Sequence, residues 1–273
     1  MDYNKEEATK ARGIVEEMME KDDVPEGSFE LDLASLPTYQ LVPNQVPEPE
    51  FYKFADERSL KKFQIGQFWA IYIDEDTFPR YYGQIKKIDL LYEFVLHVPW
   101  FYACPLPKST IRWHDKTMLI GCGLFKFRNS KLNKYTVTNN FSRVVPAEPL
   151  KKGVFKIFPR IGEVWAVHKN WSAQLMKGNN LENFEYKIVE IVNVSDNYVD
   201  VKFLALVKGF KSVYIARVEE EETHKVVKIC VSEHLRFPHQ IPDFRLTKEK
   251  GDSLRGFSEL DPSGMPLYLL CTN

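Results

Sequence analysis

This chain is short of the features that announce chemistry or a membrane. Its four cysteines, Cys104, Cys122, Cys230 and Cys271, form no CxxC pair and sit at no metal-ligand spacing. Cys104 and Cys122 have apolar neighbours, where a free thiol behaves as a small buried hydrophobe. The six histidines never fall at HxxxH or HExxH spacing, and no GxSxG occurs. Gly121-Cys122-Gly123 lacks the Lys-Ser/Thr that a phosphate loop needs. No apolar run approaches the ~20 residues that span a bilayer. Nor does one sign of charge dominate: 37 Lys+Arg face 38 Asp+Glu, which argues against gripping nucleic acid by bulk charge. Residues 1–20 are charged throughout and carry no secretory leader pattern. These absences predict a non-catalytic protein with no cofactor and no metal site. They place it in the cytosol or nucleus, with no membrane partner.

What the chain has is repetition. Gly66-Gln67-Phe68-Trp69-Ala70 returns 96 residues later as Gly162-Glu163-Val164-Trp165-Ala166, and the exit segment beginning at Phe141 returns at the same offset at Phe237. A shared offset at both ends predicts two copies of one structural unit. Aromatic and β-branched strands follow each Trp: Tyr81 to Ile88 in the first copy, Tyr186 to Val194 in the second. Val199, Val201 and Phe203 alternate with Asp200 and Lys202, a period of two. The fold class is therefore mainly β: two tandem repeats of a small, strongly bent β-barrel-like unit sharing a core, with a short N-terminal helix. Segments of ~90 residues are thin for independent folding, which is why a shared core is expected.

The organisation reads as a helix over 1–21, a Pro-rich linker over 22–50, a domain over 51–244 and a tail over 245–273. The repeats occupy 51–145 and 153–241. Asn4 can cap the helix, and Ala8, Ala11, Val15 and Met18 give it a thin apolar stripe. Asp74-Glu75-Asp76-Thr77-Phe78-Pro79 reads as a polar, Pro-ended loop. A second echo links Gly27 through Pro37 to Gly256 through Pro266, with Glu, Leu and Asp also coincident. One reading makes the earlier stretch the closing tail of a lost unit; the other makes it a chance Pro-rich linker.

The ordered series Gln67-Phe68-Trp69-Ala70-Ile71-Tyr72, Pro79-Arg80-Tyr81-Tyr82, Gly121-Cys122-Gly123-Leu124-Phe125, Gly162-Glu163-Val164-Trp165-Ala166, Asn170-Trp171 and Leu235 through Pro242 resembles one family. It is the plant-type domain of unknown function, the DUF3444 family, found C-terminal to the J-domain in DnaJ-like heat shock N-terminal domain-containing proteins. The opening Met1 through Ala8 is similar to the start of those proteins. The His-Pro-Asp turn by which a J-domain stimulates Hsp70 is absent from the sequence. The resemblance thus implies a relative without J-domain function, so Hsp70 is not an expected partner. It also implies a place in chromatin complexes and transcription regulation, with the nucleus favoured over the cytosol.

Gly66, Trp69, Phe141, Gly162, Trp165 and Phe237 are the structural anchors of the repeats. In small barrels of the Tudor and PWWP kind, which these units resemble at fold level only, rings at strand ends can cage a methylated ammonium. Trp69, Tyr72, Tyr81, Tyr82 and Trp171 are the candidates, with Asp74, Glu75 and Asp76 as acidic support. A core role for the tryptophans is the competing reading. The expected function is a protein-interaction module binding a peptide, such as a histone tail or a transcription-complex subunit, in an aromatic groove between the repeats. The alternatives are a J-protein accessory that binds clients without stimulating Hsp70, and a nucleic-acid binder using Lys61-Lys62, Lys86-Lys87 and Lys151-Lys152. Nucleic acid is the less favoured partner.

Overall fold

The computed structural model of the protein describes residues 46–73, 76–104, 120–127, 132–151, 153–169, 171, 185–216, 226–248 and 253–270. The helix expected over 1–21 and most of the linker lie outside them. In the first region the strands are β1 (Phe68–Ile73), β2 (Asp76–Gln84), β3 (Lys87–Asp89), β4 (Val95–Val98), β5 (Phe101–Ala103), β6 (Gly123–Phe127), β7 (Asn133–Tyr135) and β8 (Phe141–Val145). β9 (Glu148–Lys151) and β10 (Val154–Ile157) lead into the second. There follow β11 (Val164–His168), β12 (Tyr186–Val194), β13 (Tyr198–Leu206), β14 (Val213–Ala216), β15 (Val226–Cys230), β16 (Gln240–Ile241), β17 (Asp243–Arg245) and β18 (Ser258–Leu260). The protein is mainly β, built of several antiparallel sheets, and among the described residues none of them closes into a barrel.

Both regions put the Trp strand between the same two neighbours. One sheet runs β2-β1-β8, and the larger one begins β16-β11-β12. Trp69 pairs with Val144, and Trp165 pairs with Gln240, its counterpart 96 residues on. Ahead of each strand lies a type II-like turn needing a left-handed residue at its third position, supplied by Gly66 (φ +94°) and Gly162 (φ +86°). The bonds around it match: Gly66 N–H donates to the Ile85 carbonyl and Gly162 N–H to the Ile191 carbonyl, both at 2.8 Å. Each indole N–H donates two residues back, Trp69 to Gln67 at 3.0 Å and Trp165 to Glu163 at 2.8 Å. That bond satisfies the one polar atom of a ring otherwise fully buried.

The cores differ in material. Trp69 stacks on Phe63 (4.3 Å) and meets Phe141 edge-on (5.8 Å), beside Ile71, Ile85, Leu96 and Val98. Trp165 keeps the edge contact with Phe237 (6.0 Å) but otherwise packs on Val167, Val189, Ile191, Val201 and Ile229. Cys122 belongs to this second core, and burial pushes its thiol well up. Gly121 joins the regions. The Tyr82 hydroxyl donates to the Gly121 carbonyl at 2.5 Å, while a Cβ on Gly121 would sit 1.6 Å from the Pro238 carbonyl oxygen. Only glycine lets these backbones approach so closely.

Two expectations need correction. Asp76 through Pro79 is strand, not loop: β2 starts at Asp76 and contains Pro79. β2 is the edge of its sheet, where a residue without an N–H costs no ladder bond. The segment beyond 244 is no loose tail, because β18 sits between β14 and β17. Its fully buried Glu259 accepts from the N–H groups of Glu50, Phe51 (3.0 Å) and Tyr52 (2.7 Å) and from the Ser212 hydroxyl (3.0 Å). Asp261 holds Arg58 at 2.6 Å and caps the turn Pro262–Gly264 through Ser263 N–H.

Candidate functional site

The aromatic residues singled out in the sequence do not converge. Successive side chains of a strand leave on opposite faces. Trp69 and Ile71 therefore face one core, joined by the half-buried Tyr81, while Tyr82 lies on the other face beside Ala70 and Phe125. Trp69 and Tyr82 are each 1% exposed, so neither has a surface to offer a ligand. A cage built from these five rings is ruled out by the strand geometry. Tyr72 is half-buried, with its hydroxyl sealed from solvent. Trp171 is half-buried at a different place, beside His168 in the second region. Asp74 and Glu75 lie outside the described residues, and for Asp76 only its backbone place in β2 is described.

The structure instead assembles an aromatic seam where β2 meets the second region. Phe78 stacks on His239 (4.4 Å) and meets Tyr186 edge-on (5.7 Å). The Arg80 guanidinium lies 4.7 Å over Phe78 and donates to the Tyr186 hydroxyl at 3.2 Å. His168 packs on Tyr186 (5.1 Å) and stacks with Trp171 (5.8 Å). Tyr268, from the short helix Leu267–Leu270, brackets the Tyr186 backbone, accepting from its N–H and donating to its carbonyl at 3.1 Å. Burial, then the charges of Arg80 and Arg236, pull His168 down to about 3. His239 is held well below the usual imidazole range by burial and by Arg80, and its Nε2 pairs with the Gly264 carbonyl at 2.9 Å. Both rings are neutral at pH 7, so the seam carries Arg80 as its cation.

A second polar group lies near Tyr72. Its hydroxyl, the Ser142 Oγ and all three guanidinium nitrogens of Arg143 are sealed from solvent, with Tyr72 against Ser142 and Arg143 against the Tyr82 hydroxyl. Among the same residues, no three His, Cys, Asp or Glu side chains gather to hold a metal.

The most exposed apolar feature of the described residues is the β3–β4 tip. Leu90 (74%), Leu91 (87%) and Tyr92 (99%) stand in solvent between β3 and β4. In the second region the β12–β13 hairpin closes with polar Ser195-Asp196-Asn197. There the Ser195 Oγ accepts from Tyr198 N–H at 3.1 Å.

Nothing in the amino-acid pattern warns of the seam. Phe78 and Tyr186 are strand residues like many others, and their meeting is a contact between distant elements. The tip does carry a local signal: three large apolar residues in a row between Asp89 and Glu93.

Comparison with known proteins adds one match. A family model described as a domain of unknown function, DUF3444, covers residues 42–250. No curated protein and no solved structure matches the chain.

Proposed function

The chain belongs to the DUF3444 family, a domain of unknown function, and on that premise we propose that it is a non-catalytic protein-interaction module. It holds a peptide or tail of a partner in a nuclear, chromatin-associated assembly. Its frame is two copies of a small, bent unit of the SH3, Tudor and PWWP kind. Two features support that: the matched neighbours of the Trp strands, and the continuation into β3-β4-β7 in one region and β12-β13-β15 in the other.

The observation that carries the binding reading is the apolar tip. A contiguous group of large apolar side chains left in water is the kind of surface that marks an interaction site. The fold does not require it, since a polar turn closes the β12–β13 hairpin of the second region. The half-buried Trp171 at the seam gives the partner a second aromatic contact.

The test is capture of histone-tail peptides, modified and unmodified, by the whole chain and by Leu91→Ser and Trp171→Ala. The reading expects enrichment of at least one tail by the wild type and its loss in Leu91→Ser. If no tail is enriched, or if Leu91→Ser captures as well as wild type, the proposal fails.

A further inference from the structure

We propose that Arg143, Tyr72 and Ser142 form a buried oxyanion-binding site where the end of β1 meets the start of β8. The three side chains come from neighbouring strands, with Tyr72 at the end of β1 and Ser142-Arg143 near the start of β8. Tyr72 N–H donates to the Asn140 carbonyl at 2.7 Å, which fixes the end of β1 against the approach to β8.

The chemistry of the cluster is lopsided. The Arg143 guanidinium carries five N–H donors, and its Nε, Nη1 and Nη2 are all sealed from water with no carboxylate or carbonyl acceptor among the described residues. The Tyr72 and Ser142 hydroxyls lie against each other and have no further partner there. Three further charged groups lie within electrostatic reach, and none serves Arg143. Asp261 is taken by Arg58 at 2.6 Å and by Ser263 N–H at 3.0 Å. Glu163 accepts from the Arg160 backbone and the Trp165 indole. Arg58 adds positive charge, and its own Nε has no partner among the described residues. The Tyr82 hydroxyl, its own proton given to the Gly121 carbonyl, turns its oxygen to Arg143 and satisfies at most one of the five N–H groups, leaving the rest without an acceptor. Burial pulls the guanidinium below its ordinary value, against the opposing pull of Tyr82 and Glu163.

A buried cation short of acceptors is among the most costly arrangements a core can hold, and each such group calls for a partner. The partner that fits this one must be negative, rich in acceptors and small. A guanidinium fork flanked by two hydroxyls has the chemistry that recognises carboxylate and phosphate oxygens. The ligand class is therefore an oxyanion, either inorganic phosphate or the carboxylate of an organic acid.

The experiment uses the whole chain. Its melting temperature is followed against sodium phosphate, sodium acetate and sodium chloride at constant ionic strength, for wild type, Arg143→Met, Tyr72→Phe and Ser142→Ala. A ligand that binds only the folded state raises the melting temperature with its concentration. The proposal expects a saturable rise with phosphate or acetate that chloride does not give. Whichever of the two raises it at lower concentration identifies the source. Arg143→Met should abolish the rise and melt no lower than wild type in chloride, because removing an unpaired buried charge costs nothing there. Tyr72→Phe and Ser142→Ala should each shift the half-saturating concentration upward by roughly three- to tenfold. These two decide the matter if Arg143→Met fails to fold. Equal responses to all three salts, or an anion response unchanged in the variants, would overturn it.

Discussion

The two Trp regions are an experiment the molecule has already performed on itself. Gly66 and Gly162, Trp69 and Trp165, Phe141 and Phe237 hold matching places and make matching bonds. What differs is everything those bonds do not fix. The first core is aromatic, with Phe63, Trp69 and Phe141 in mutual contact; the second is aliphatic around one Trp. The first region breaks its second strand after Gln84 and resumes at Lys87, whereas β12 runs unbroken from Tyr186 to Val194. The first ends its hairpin in Leu90-Leu91-Tyr92, the second in a polar turn. Backbone bonding around the Gly-x-x-Trp strand is thus what the two regions share, and core filling and hairpin tips are where they differ.

The strongest way to break this comparison is to remove its shared anchors. Trp69→Ala and Trp165→Ala should each cost about 3–5 kcal/mol, the usual range for deleting a buried Trp. Because Gly121 and the Phe78–Tyr186–His239 seam join the regions, either loss should appear as one cooperative transition in urea. Two separated transitions would show that the regions fold independently.

Next in size is the acid response, where the comparison sharpens. The buried histidines with lowered values all lie in the second region: His168 at about 3, His234 at about 4, and His239 well below normal, each chiefly because of burial. A folded-state value below the unfolded one means that stability is complete above the unfolded value near 6.5 and is lost as pH falls toward the folded value. His234→Phe should therefore remove about 3 kcal/mol of the stability change between pH 7 and pH 4. Asp243 has the opposite sign. Burial raises it to about 6, so its contribution falls as pH rises from 4 to 6, and Asp243→Asn should flatten that limb. Urea midpoints measured across this range separate the two. A matching acid response from substitutions in the first region would erase the distinction.

Smaller effects should come from the paired glycines. Gly66→Ala and Gly162→Ala meet no atom within 4 Å, so each should cost only the left-handed backbone strain, about 1 kcal/mol, and by equal amounts. Gly121→Ala is a different case, since its Cβ would collide with the Pro238 carbonyl backbone. It should cost more than either. If thermal melts give unequal losses for Gly66 and Gly162, the two turns are not equivalent.

How far the sequence foretold all this depends on whether a feature is local. The Gly-x-x-Trp-Ala motif was legible because each copy makes its own bonds within a few residues, and the offset of 96 shared by Gly66 and Phe141 marked both ends. Val199 and Val201 showed their burial through alternation. The seam could not be read, because the Phe78–His239 stack joins two elements with no periodic relation. The echo at Gly256 was visible, but nothing in it told that Glu259 gathers the N–H groups of residues 50–52. The cage failed for a geometric reason: adjacent strand residues such as Tyr81 and Tyr82 must part company, and a core took one from each face.

The smallest expected effect on stability is also the most informative about function. Leu91→Ser replaces a side chain that is 87% exposed, makes no ladder bond of its own, and sits where the second region uses a polar turn. Such a surface change should alter stability by less than about 0.5 kcal/mol. If Leu90-Leu91-Tyr92 is retained for packing unseen in the single chain, unfolding will expose it as a larger loss. If it is retained for a partner, the melt will be unchanged while peptide capture disappears. The second region then serves as the built-in control: Asp196→Leu, which gives its turn an apolar residue, should leave both stability and capture as they were. Apolar character at a tip would then matter only beside the first region's own surface, which places the partner's contact on that side of the molecule.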